Sequence, residues 1–149
     1  MIRKISSHEG FYKYIYIYVL LVYKHSDSHF LSRLLTRFLD LYRELERQHI
    51  RDSVVRLILI NEQDAAEHFG GNKFGNIKLF QDNSQDRIVK RLHQNGHTLN
   101  NYVFGRCGYM IYTQGYPNSD LDNLKNYEEL LRIITTAVKN KRRCQNICS

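Results

Sequence analysis

Three cysteines, Cys107, Cys144 and Cys148, are the residues of this 149-residue chain whose type suits nucleophilic or redox chemistry. The thiolate is the reactive form of cysteine, and a neighbouring cation favours it. Cys107 stands between Arg106 and Gly108, so an adjacent guanidinium could lower its pKa. The plainer reading makes Cys107 a free or structural thiol, or a bridge partner for Cys144 or Cys148. Cys144 and Cys148 could close a small loop or pair between chains. Three thiols allow at most one internal bridge, and the leftover could link two chains as a disulfide dimer. The Cys144-x3-Cys148 spacing is not a usual zinc knuckle, and no histidine pair lies nearby. His8, His25, His29, His49, His68, His93 and His97 are dispersed along the chain. No metal site and no cofactor are expected.

Ser28 beside His29 is a second candidate on residue type alone. A serine hydroxyl ionises far above neutral pH and lacks sulfur's two-electron oxidation chemistry. Adjacent residues would also point to different sides, and no acid is in place to orient the histidine. Ser28 reads better as a helix cap.

The net charge is +7, and its one dense run is Lys139, Lys141, Arg142 and Arg143. Such a run could bind a heparan-type polyanion, or it could complement the negative end of a helix dipole. No nucleic-acid motif accompanies it, so no specific nucleic-acid partner is expected.

These residues need elements to position them. "FYKYIYIYVLLVY" (11–23) alternates tyrosines with β-branched residues and reads as a strand. Arg3 and Lys4 before it give the look of a signal peptide, but Lys13 interrupts the run and no small-x-small cleavage site follows. It is also too short to cross a bilayer. Ser26, Asp27 and Ser28 then offer helix caps, and Leu31, Leu34, Leu35, Phe38, Tyr42 and Leu45 form one helical stripe. "SVVRLILIN" (53–61) has the pattern of a strand buried on both faces.

A short helix is expected at 64–69 before Gly70 and Gly71, a strand at 76–81 and a helix at 84–96. "NYVFG" (101–105) and "YMIYTQG" (109–115) read as antiparallel strands joined by a tight turn at 106–108. A last helix is expected from about Asn126, with Glu129 in a capping box and Tyr127, Leu130, Leu131, Ile134 and Val138 as its stripe.

The order β-α-β-α-β-α-β-β-α in a chain of this length predicts one α/β domain. A thioredoxin-like sandwich fits it: a mixed central sheet, a C-terminal hairpin and covering helices. A flavodoxin-like sheet is the competitor, but would not end in a hairpin. With 42% hydrophobic and 25% charged residues, wholesale disorder is not expected.

Several stretches resemble the N-terminal domain of the selenoprotein P family. "YVFGRCGYMIYTQGYP" (102–117) resembles that family's Asp-Arg-Cys-Gly-Arg hairpin and its Gly-x-Pro. "KRRCQNICS" (141–149) resembles its Cys-Gly-Asn-Cys-Ser, and "LILIN" (57–61) its buried strand ending in Asn. The similarity runs over roughly residues 15–149. It implies a secreted, thioredoxin-like protein associated with selenium transport and extracellular antioxidant defence, with a cell-surface receptor as a candidate partner.

The resemblance places the family's Sec-x-x-Cys redox motif near Ser28 and Leu31, and neither residue can do that chemistry. Gly105 and Tyr109 replace the expected Asp and Arg, and Cys144 and Cys148 are one residue further apart than in the family. Residues 1–12 match nothing in the pattern and are expected to be disordered or wrongly assigned. The resemblance therefore implies a binding module with an empty redox junction. The other reading is a thiol oxidoreductase using Cys107 or the Cys144/Cys148 pair, or one whose active residues are missing from this sequence. Selenium enters only through the resemblance.

Overall fold

The computed structural model describes residues 17–23, 28–61, 77–82, 91, 99–106 and 108–140. Their elements are β1 (Ile17–Tyr23), α1 (Ser28–Arg47), β2 (Val55–Asn61), β3 (Lys78–Gln81), β4 (Leu99–Phe104), β5 (Met110–Gly115) and α2 (Leu124–Lys139). The sheet order is β3-β2-β1-β4-β5. β1 runs parallel to β2, and β2 to β3, whereas β4 runs antiparallel to both β1 and β5. A central strand that leads into a helix, parallel neighbours on one side and a hairpin on the other make a thioredoxin-like α/β sheet. The expected fold class holds.

The period of two in β1 and β2 explains why they lie inside. Ile17, Val19 and Leu21 face one way with Val55, Leu57 and Leu59, and there meet Leu34, Leu35, Phe38, Leu41 and Leu45 of α1 and Leu130 and Ile134 of α2. Both described helices therefore pack on the same face. Tyr18, Leu20, Val22, Ile58, Ile60, Tyr102 and Phe104 form a second buried cluster on the opposite face. "LILI" is thus buried on both faces, as its unbroken apolar run required.

α1 departs from the expected stripe at one place. Leu41 is fully buried, whereas Tyr42 is only half-buried and its hydroxyl donates to the Glu46 carboxylate at 3.0 Å. The helix ends with Ile50 N–H donating to the Leu45 carbonyl at 2.8 Å and His49 N–H to that of Glu46 at 2.9 Å. His49 takes φ 62°, the left-handed position of this closing motif, which glycine fills more easily.

α2 begins earlier than expected. Its cap is Asn123, whose side chain accepts from Lys125 N–H at 3.0 Å. Asn126 lies already inside the helix, and its amide donates back to the carbonyls of Pro117 and Asp120 at 3.1 and 3.0 Å. Glu129 makes no capping box; it receives Arg132 Nη2 at 2.6 Å one turn on. The helices expected at 64–69 and 84–96 lie outside the described residues, apart from Arg91, which is helical. No described helix is long and apolar enough to cross a membrane.

Candidate functional site

The parallel strands end at one edge of the sheet, and the pairing of Tyr23 with Leu99 brings the start of β4 to that edge. Asn100 pairs with Gly115, so the loop from β5 to α2 leaves from the same edge. α1 starts there too. Crevices at the carboxyl ends of parallel strands are where open α/β sheets bind ligands.

Ser28 and Leu31 both fall in the first turn of α1, at the junction where the resemblance places redox chemistry. No cysteine precedes residue 107 in the chain. Cys107, Cys144, Cys148, Lys141, Arg142 and Arg143 lie outside the described residues. Lys139 is exposed at the last position of α2. The hairpin turn before Cys107 is tied to that helix: Arg106 Nη2 donates to the Val138 carbonyl at 3.0 Å, while its buried Nε finds no acceptor. The turn itself closes with Gly105 N–H donating to the Tyr109 carbonyl and Gly108 N–H to that of Gly105, both at 2.9 Å, with Gly108 at φ 80°. A side chain at Gly108 would be strained by that backbone.

Beside the junction lies a cleft of about 210 Å³, lined by Arg33, Leu34 and Arg37 of α1, Leu99 of β4, and Tyr116, Asp120, Leu121 and Asp122 of the β5–α2 loop. Arg37 Nε donates to Asp122 Oδ1 at 2.7 Å and its Nη1 to Asp40 Oδ2 at 3.2 Å. Arg33 Nη1 lies 3.7 Å from Asp122 Oδ2. The hydrogen bond that Arg37 donates to Asp122, then the one it donates to Asp40, raises its pKa above its ordinary value. The two pairs with Asp122 span the cleft and clamp helix to loop, while Asp40 holds Arg37 from within the helix. At solvent-exposed positions they fix geometry more than they add stability.

The loop itself is held from beneath by a buried polar cluster. Asn101 Nδ2 donates to Gln114 Oε1 and to the Ser119 carbonyl, each at 3.0 Å. Ser119 Oγ donates to the Leu99 carbonyl at 2.9 Å, and Gln114 Nε2 to that of Asn126 at 3.0 Å. Asn101 Oδ1 is buried without a partner. The Tyr116–Pro117 peptide bond is cis, and it opens this loop. Pro117 is the proline of the Gly-x-Pro match, so the resemblance had marked the loop but not the cleft above it.

Arg33, Arg37, Tyr116, Asp120 and Asp122 were not among the residues singled out from sequence. The spacing of Arg33 and Arg37 put them on one helix face. Their acidic partner lies 85 residues on from Arg37, which no local pattern discloses. Among the described residues no group of three His, Cys, Asp or Glu could hold a metal ion. The cleft offers donors, acceptors and an apolar floor, which is equipment for binding.

No family pattern and no curated protein matches the chain. Among solved structures it is similar to the exposed lipoprotein thioredoxin Etrx1 of Streptococcus pneumoniae strain TIGR4, at 18% identity, covering 79% of this chain and 87% of that one, with a TM-score of 0.49. A likeness of that size leaves the fold assignment to the strand order itself.

Proposed function

We propose that this chain is a selenoprotein-P-like module whose redox junction is empty, and that it acts as a secreted binding protein rather than a reductase. One observation carries the reading: the first turn of α1 holds Ser28 and Leu31, and no cysteine precedes residue 107. A helix N-terminus activates a thiol by stabilising the thiolate, and without sulfur it has nothing to activate. The cleft spanned by Arg33, Arg37 and Asp122 is the binding surface this edge offers instead. A cell-surface receptor is the partner class that the resemblance supplies. A heparan-type polyanion would engage Lys139, Lys141, Arg142 and Arg143, and such binding would fall steeply with salt.

A second reading rests on the hydrogen bond from Arg106 to Val138. It docks the turn beside Cys107 against the end of α2, the helix from which Cys144 and Cys148 follow. Those thiols could then exchange disulfides.

Dithiol-driven insulin reduction by the full chain tests both readings. The expected rate is that of the dithiol alone. Acceleration abolished by Cys107→Ser, or by Cys144→Ser with Cys148→Ser, would install the second reading. Acceleration that survives all three substitutions would overturn the empty junction.

A further inference from the structure

Among the described residues the outer edge of β5 is open: the strand is last in the sheet and pairs with β4 alone. An open edge presents unpaired N–H and C=O groups to any strand that can approach. Proteins usually blunt such edges with lysine, proline or a short strand. β3, at the opposite edge, follows that practice: it is four residues long and begins at the exposed Lys78.

β5 does not. Residues 107–119 carry no Asp, Glu, Lys or Arg, and Met110–Gly115 contains no proline. The strand and its flanks also gather exposed apolar side chains: Tyr109 (52% exposed), Met110 (53%), Ile111 (51%) and Tyr116 (50%). Exposed apolar side chains gathered along a strand and its flanks mark an interaction surface.

We infer that this edge is where a second copy of the same chain binds, by antiparallel pairing of β5 with β5. Charge favours that occupant. A chain of net charge +7 repels its own copy, and this uncharged stretch is a place where two copies can meet without facing cations. Symmetry favours it as well, because a two-fold axis closes the contact with the same surface on both sides.

The register follows from the pleat. A two-fold axis perpendicular to the sheet keeps each face continuous, so residues facing each other must share a face. The irregularity between Val103 and Phe104 disturbs the turn end of β5, around Ile111, and leaves Tyr112–Gly115 regular. An axis through Thr113 meets both conditions. It sets Tyr112 opposite Gln114 of the second copy, and leaves Ile111 and Met110, beyond the irregularity, at the rim of the contact. The half-exposed Ile111 and Met110 flank that contact at the turn end of the strand. This contact needs no disulfide, and its centre at Thr113 lies outside the cleft lining, which the strand reaches only at Tyr116.

Sedimentation of the full chain under reducing conditions, over roughly a hundred-fold range of concentration, tests it. The expected limiting mass at high concentration is twice the 17.8 kDa of one chain. Thr113→Lys places like charges across the axis and should raise the dissociation constant at least about tenfold, without changing the circular dichroism. Ile111→Lys should act in the same direction. If either variant fails to fold, amide exchange in the unaltered chain decides: residues 112–115 should exchange more slowly as concentration rises. A monomer throughout, a dimer indifferent to Thr113→Lys, or exchange at 112–115 independent of concentration would overturn the inference.

Discussion

The two halves of the sheet obey opposite rules. In β1 and β2 the apolar residues are inside: Val19, Leu21, Leu59 and Ile60 are fully buried, and Tyr18 is the one described side chain with a polar group buried among them. In the hairpin β4–β5 and the loop after it, Asn100, Asn101, Gln114 and Ser119 are buried while Tyr109, Met110, Ile111 and Tyr116 stand half in water. Apolar burial of the first kind is what holds the domain together. Burying four polar residues adds little net stability even when they are bonded, and costs when they are not. The hairpin therefore adds position to cohesion: Leu99, Tyr102, Val103 and Phe104 of β4 join the core, while the polar groups and β5 serve the loop. Its polar side fixes the loop that forms one wall of the cleft, and its apolar edge faces outward.

That contrast breaks first at its strong end. Phe38 is fully buried beneath β1 and β2. Phe38→Ala should cost about 3–5 kcal/mol of stability in a urea titration, because a large cavity opens in a packed interior. A loss much below that would mean the inner half is not the cohesive one.

Asn101→Ala should cost less, about 1–3 kcal/mol, since it strands the Gln114 and Ser119 acceptors that Asn101 now serves. Its larger effect should be local, with faster amide exchange in residues 116–123 than in β1. Uniform loosening of both would erase the distinction between a positioning half and a cohesive half.

The smallest effect separates the halves by pH. Tyr102 lies in the buried cluster on the other face, and burial pushes its phenol up to about 12. Its unfolded value is about 10, so its contribution is fully present below pH ~10 and is lost as pH rises through about 12. Tyr102→Phe should flatten the fall in urea midpoint across that window. An unchanged alkaline limb would mean that burial of the phenol is not what destabilises the hairpin side there.

Legibility in the sequence divides along the same line. β1, α1 and β2 could be read because an apolar period is a local signal, and a single buried face enforces it. The replacement of Tyr42 by Leu41 in the buried stripe is the size of error that a helical wheel allows. The hairpin was read with less success, for physical reasons. Leu99 and Asn100 belong to β4 although the strand was expected to begin at 101, because the Asn101 amide is satisfied by Gln114 and Ser119 inside the fold. Asn126 resembled a cap, but tertiary contacts with Pro117 and Asp120 had already claimed its amide. The cleft depended on pairing Arg37 with a carboxylate in a distant loop. Only the cis proline bond of that loop fell on a residue that a motif had marked.

The central claim is that the β1–α1 junction carries no redox residue. The most direct measurement is the mass of the tryptic peptide HSDSHFLSR, residues 25–33, from protein purified from its native source after reduction and alkylation. The account predicts that peptide at its unmodified mass, with no alkyl adduct and no selenium isotope pattern. A peptide from the same junction that carries selenium or an alkylated thiol would contradict it and restore the reductase.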